Sequence, residues 1–230
     1  MPRSIVAMDD SSPERLPLFP LGSVLFPGGH LPLQIFEVRY LDMIARRHRA
    51  GQPFGVVCLS EGSEVRRRDA TPGSDGFAAE AFHPIGTLAR IDDLQRPHPG
   101  LLRVRCTGTQ RFRVQASQRG PYGLWLADVT TLADDAAVPV PDDLAFAREA
   151  LQRLVRRIDA SIDAGAGDAI ERPILEPYRW NDCGWLANRW CDVLPLDAPA
   201  KQRLLALDSP VLRLELVADA LVQMGIDTAV

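Results

Sequence analysis

The chain has 230 residues, 46% hydrophobic and 24% charged, with a formal net charge of −4. That length permits one large or two small globular domains, with enough core to fold without disulfides or metals. The acidic balance argues against bulk attraction to a phosphate backbone, and no apolar run approaches the roughly 18 residues of a membrane span.

Residues 1–15 are polar, carry Asp9, Asp10 and Glu14, and read as a disordered tail. They lack the charged-then-apolar layout of a secretory leader, so a cytoplasmic location is expected. Residues 16–133 are rich in short β-type runs broken by Pro and Gly. The first runs are Leu16 to Pro20 and Val24 to Phe26. Leu31, Leu33 and Ile35 then alternate with Pro32, Gln34 and Phe36. The prolines argue for short or edge strands in a curved sheet.

Tyr40, Leu41, Ile44 and Ala45 give a helix from about Val38 to Arg49, stopped by Gly51. Strands are predicted at Phe54 to Leu59 and Gly86 to Ile91, separated by a loop at Glu61 to Gly76 that holds Arg66 to Arg68. Leu102, Val104 and Cys106 oppose Arg103 and Arg105. Phe112, Val114 and Ala116 oppose Arg111 and Arg113. Read as a hairpin, these two runs keep their faces together with a three-residue turn at Gly108 to Gln110. Leu124 to Thr131 closes the β half.

A linker at 134–141 carries two prolines, and residues 142–226 read as helical. Leu144, Leu151, Val155, Ile158 and Ile162 mark a long amphipathic helix ended by Gly165. A shorter helix runs from Asp182 to Val193. Asp197 caps a helix through Leu207, and Ser209-Pro210 opens a last helix that Gly225 ends.

Neither a P-loop, a nucleophile elbow, H-E-x-x-H nor G-x-G-x-x-G is present. Lys201 is the only lysine, and no nucleophile lies beside it in sequence. The four cysteines and four histidines have no metal-ligand spacing, so neither cofactor nor metal is expected.

The opening run Leu16-Pro17-Leu18-Phe19-Pro20-Leu21-Gly22 is followed by Leu25-Phe26-Pro27-Gly28, Leu31-Pro32-Leu33, Ile35-Phe36-Glu37 and Arg39-Tyr40. Then come Phe54-Gly55-Val56-Val57, Ile85-Gly86-Thr87-Leu88-Ala89, Gly108-x-x-Arg111-Phe112-Arg113-Val114 and Pro121-Tyr122. Leu194-Pro195-Leu196 and Lys201-Gln202-x-Leu204-Leu205 follow near the end. This ordered set resembles the amino-terminal substrate-binding domain of Lon proteases over nearly the whole chain. The resemblance implies an α+β fold, with an N-terminal PUA-like β pseudobarrel followed by a helical subdomain. It also implies a protein-binding module without catalytic residues.

The expected partner is therefore polypeptide, an unfolded client or a partner protein, at a site drawn from Phe36, Glu37, Arg39, Trp185 and Trp190. On one helix Trp185 and Trp190 stand about 140° apart, wider than a minimal apolar stripe. Either the two halves clasp this helix and bury one indole on each side, or at least one indole lines a groove at the junction. Two other readings compete. The cationic row Arg103, Arg105, Arg111 and Arg113 suggests a PUA-like nucleic-acid binder, against the net charge. Asp182, Asp192 and His83 could instead assemble a small hydrolase site.

Overall fold

The computed structural model describes residues 15–62, 79–163 and 172–226. The predicted tail, the arginine-bearing loop and the Gly165 helix end lie outside those residues, apart from Arg15 and the loop's first two positions.

Six strands form one sheet: β1 (Leu16–Leu21), β2 (His30–Ile35), β3 (Phe54–Glu61), β4 (Ala81–His98), β5 (Leu101–Arg119) and β6 (Trp125–Thr131). β1 pairs in parallel with β3, and β3–β4, β4–β5, β5–β6 and β6–β1 are antiparallel. Those pairings close a five-strand ring, which removes most of the exposed edge. β2 adds to the first half of β5, with Leu33 opposite Val104. Pro32 thus sits on an outer strand, as its missing N–H requires. β1 is short but internal, flanked by β3 over 18–21 and by β6 over 16–18.

The hairpin turn predicted at Gly108 to Gln110 is not there. β5 runs unbroken through Gly108, and the turn from β4 comes at Pro99 and Gly100, where Gly100 has φ +84°. The alternation supports the longer strand, because its apolar positions stay even-numbered from Leu102 to Val114. Gly108 is a site of close approach. It exchanges backbone hydrogen bonds with Gly28 and Gly29, and a Cβ on it would lie 2.3 Å from the Phe26 carbonyl oxygen.

Helix α1 (Val38–Ala50) packs Tyr40, Met43 and Ile44 onto the barrel, with Tyr40 stacked on Phe19 at 4.0 Å between ring centroids. Gly51 ends it at φ 62°, its N–H bonding to the carbonyls of Arg47 and His48. After a short 3-10 turn (Asp142–Leu144) come α2 (Ala145–Ser161), α3 (Cys183–Val193), α4 (Ala198–Ala206) and α5 (Pro210–Gln223). Asp182, Asp197 and Ser209 cap α3, α4 and α5 by accepting from Trp185, Ala200 and Leu212 N–H groups.

The helical core includes Phe26 and Ile85 from the barrel side, so the halves share one apolar cluster. A polar clamp reinforces it. Arg111 of β5 donates to the carbonyls of Leu205 and Leu207 at 2.9 and 2.8 Å. Arg213 of α5 donates to the carbonyls of Leu204 and Leu207, to Asn188 and to Asp135. Asp135, between β6 and α2, also receives Arg111 at 3.3 Å. The two guanidiniums therefore satisfy three carbonyls at the negative end of α4, those of Leu204, Leu205 and Leu207. Nearby, Arg189 donates to the carbonyls of Gly28 and Pro27, and Gln202 donates to that of Ile85 at 2.9 Å.

Removing one partner of a buried charged network costs about 3–5 kcal/mol, so Arg213→Ala is expected to lower unfolding free energy by that amount. Arg105→Ala, which removes an exposed ion pair to Asp93, is expected to cost under about 1 kcal/mol. Urea titrations of the two variants check the contrast.

Candidate functional site

Three large apolar side chains near the start of α1 face solvent: Phe36 is 58% exposed, Val38 62% and Tyr122 77%. Local geometry puts them there. β2 ends at Ile35, and Glu37 is the N-cap residue of α1, so Phe36 lies between two elements. Val38 is on the side of α1 opposite Tyr40 and Ile44. Tyr122 sits in the Pro121–Gly123 turn at φ 58°, ψ 15°, a left-handed conformation that is uncommon outside glycine. The turn is closed by Gly120 N–H donating to the Leu124 carbonyl at 2.7 Å. Val38 and Tyr122 line one groove of about 630 Å³.

Glu37 and Arg39 brace this surface from beneath. Arg39 is 6% exposed. It donates to Glu37 at 3.1 Å and to the Gly123 carbonyl at 3.3 Å, pairs with Glu80 at 3.5 Å, and lies 4.5 Å from the Tyr40 ring centroid. The start of α1 is thereby tied to the turn that carries Tyr122. Val38 and Tyr122 were not singled out from sequence. An apolar residue off the α1 stripe and an aromatic between Pro and Gly are the signals that could have found them.

A second groove, about 540 Å³, runs along the junction of the halves and includes Gln110, Asp135, Leu175 and Trp185 in its lining. Trp185 is half-buried in an aromatic cluster, its ring centroid 5.2 Å from Trp180, which lies 4.8 Å from Tyr178. Trp190 departs from the expectation of a surface site. It is 3% exposed, and its indole N–H donates to the Ala147 carbonyl at 3.0 Å inside the helical core. The wide angle between the two indoles is thus resolved by two environments, core for Trp190 and groove wall for Trp185.

The competing readings lose their geometric basis. Arg111 is buried in the clamp and Arg105 is paired with Asp93, so the cationic row is no continuous surface. Asp182 is occupied as the α3 cap. Asp192 pairs with Arg189 at 3.1 Å, and burial pushes its carboxyl up to about 6 against the pull of Arg189 and Lys201. His83 lines neither the groove that contains Asp182 nor the one that contains Asp192. Burial pushes the Cys106 and Cys191 thiols up to about 12, which leaves them protonated and poor nucleophiles. Among the described residues no group of His, Cys, Asp and Glu could hold a metal ion, and no helix is long and apolar enough to cross a membrane.

Two stability measurements follow. Trp190→Ala is expected to cost about 3–5 kcal/mol, the usual range for a core aromatic, and Trp185→Ala markedly less. Asp192 gives the second. Its carboxyl ionises near pH 4 in the unfolded chain but only near 6 in the folded one. The folded state thus holds the proton longer, and stability contributed below pH 4 is lost as pH rises through 6. Asp192→Asn is expected to flatten that decline in a pH series of thermal melts.

A family model described as the ATP-dependent protease La (LON) substrate-binding domain matches residues 15–223. Among curated proteins, a Lon protease of Anaeromyxobacter dehalogenans is 28% identical over 214 residues, covering 91% of this chain and 23% of the relative. Lon protease 2 of Myxococcus xanthus is 34% identical over 112 residues, covering 48% of this chain and 12% of the relative. The chain thus spans about a quarter or less of the length of these relatives. A Lon N-terminal domain protein from Xanthomonas campestris is similar in structure, with a TM-score of 0.63 and 29% identity, over 88% of this chain and 95% of that one. The N-terminal domain of a Mycobacterium avium complex Lon protease shares the fold, with a TM-score of 0.57 at 16% identity, over 90% and 97% of the two chains. With its barrel-plus-helices fold and a family match over almost its entire length, the chain belongs to the Lon substrate-binding domain family.

Proposed function

We propose that the chain recognises polypeptide, and that Phe36, Val38 and Tyr122 hold apolar side chains of an unfolded client or a partner protein. The observation that carries this reading is the exposure of these three residues on a braced surface. Leaving large apolar groups in water is unfavourable, and contiguous apolar patches mark interaction sites. Arg39 and the Tyr122 turn hold the patch in place, so little ordering entropy is lost on binding. The family's description as a substrate-binding domain supports the same reading. The chain acts as a cytoplasmic, ATP-independent adaptor with no chemistry of its own.

A fluorescent, neutral peptide rich in Leu, Phe and Tyr is the direct probe. It is expected to bind saturably in an anisotropy titration. Phe36→Ser and Tyr122→Ser should each weaken it about 5- to 30-fold, the equivalent of losing about 1–2 kcal/mol from an apolar anchor. Their melting temperatures should stay within a few degrees of the parent, since both side chains are exposed. Unchanged affinity in both variants would show that the patch is not the site.

The same preparation is expected to hydrolyse neither ATP nor casein-like protein, because the sequence holds no P-loop and Lys201 lies beside no nucleophile in sequence. Turnover that survives repurification and scales with protein concentration would overturn the non-catalytic reading.

A further inference from the structure

We infer that the polypeptide site discriminates by charge: it takes segments in which an apolar residue is separated by about four or five positions from acidic ones. This rests on the polypeptide-binding reading and adds a substrate class to it. The groove that contains Val38 and Tyr122 continues along α1 and is also lined by Arg15, Arg46, Arg47, Arg49 and Asp42. The whole chain carries −4, so this is a local reversal of its charge.

Not every guanidinium there is available. Arg39, on the floor, is matched by Glu37 and Glu80. Arg15 pairs with Asp128, and Arg47 donates to Gln52 at 2.7 Å. Arg46 and Arg49 are exposed. Among the described residues the Arg46 guanidinium has no hydrogen-bond or ion-pair partner, and the Arg49 guanidinium donates only to the Ala45 carbonyl of its own helix.

Spacing sets the register. Val38, Asp42, Arg46 and Arg49 recur at steps of four, four and three, so they form one stripe along α1. From Val38 to Arg49 is 11 residues, roughly 16 Å along the helix at about 1.5 Å each. That matches about five residues of extended chain at roughly 3.3 Å each. Asp42 lies between the apolar and cationic ends and repels an acid placed next to the apolar anchor. The stripe thus favours a spaced acid and disfavours an adjacent one.

A nucleic acid fits this groove less well. Tyr122 is the one aromatic ring lining it, whereas single strands are held by several stacked bases. Asp42 and the chain's acidic balance oppose a phosphate backbone.

The test uses the full chain and four labelled probes in anisotropy titrations at low salt. Three peptides share an apolar pair, followed by two Glu after a four-residue spacer, two Glu directly adjacent, or neutral residues throughout. The fourth probe is a single-stranded RNA of similar length. The spaced acidic peptide is expected to bind about 10-fold tighter than the neutral one, and the adjacent acidic peptide no tighter than neutral. The advantage should vanish in 0.5 M salt and in Arg46→Gln/Arg49→Gln, whose melting temperature should stay within a few degrees of the parent because both side chains are exposed.

Equal affinity for the spaced acidic and neutral peptides would overturn charge discrimination and leave polypeptide binding standing. A preference that survives the double substitution would also overturn it. Tighter binding of the RNA than of any peptide would overturn it in favour of a nucleic-acid ligand. Failure of every peptide to bind would overturn both readings.

Discussion

The C-terminal end of α4 is where the two halves of this protein are locked together. Its last carbonyls, from Leu204, Leu205 and Leu207, receive Arg111 from the barrel and Arg213 from α5. Two buried guanidiniums side by side repel one another. Burial, and then the neighbouring Arg213 charge, push Arg111 below its usual pKa, while Asp135 and Asp208 pull it back. The arrangement holds because Asp135 bridges both cations and the helix end presents partial negative charge. Remove either contribution and a charge is stranded in the junction.

The same device recurs through the molecule. Arg39, Arg111, Arg189 and Arg213 are all buried, and each donates to backbone carbonyls of a different segment of the chain. Arg39 ties α1 to the Tyr122 turn, and Arg189 ties α3 to the Pro27-Gly28 turn. A planar guanidinium with five donors can satisfy two or three acceptors at fixed angles, which an ammonium cannot. The near absence of lysine can be read as codon bias, but at these four positions the fork geometry is used. Rigid wiring of this sort suits a binding surface, because a braced patch loses little entropy when a flexible chain settles on it.

The Arg39 anchorage also explains why a binding role for Arg39 and Glu37 themselves is unnecessary. The Arg39 guanidinium is buried and donates to the Glu37 carboxylate, so the two are occupied with each other at the start of α1. Trp190 and Trp185 divide in a related way. One indole fills the helical core, and the other lines the junction groove and packs against Tyr178 and Trp180.

Local signals carried much of the architecture in the sequence itself. The caps Asp197 and Ser209 sit where they were read, because a short polar side chain before an apolar run serves the helix beginning beside it, and Asp182, read as the first residue of α3, is its cap. The α1 stripe, the β6 run and the family motifs were legible for the same reason. What sequence could not supply were features set by distant partners. Gly108 looks like a turn residue, and only the 26–29 segment lying across β5 makes it a close-approach glycine. Arg111 alternates like a solvent-facing strand residue, and only the arrival of α4 buries it. Phe36 could be named as a candidate, but the meeting of Val38 with the Tyr122 turn involves Arg39 reaching Gly123, 84 residues away in sequence. Periodicity and caps report energies between near neighbours in the chain. Burial, charge pairing and patch formation are decided by which elements meet, and that is a property of the tertiary structure.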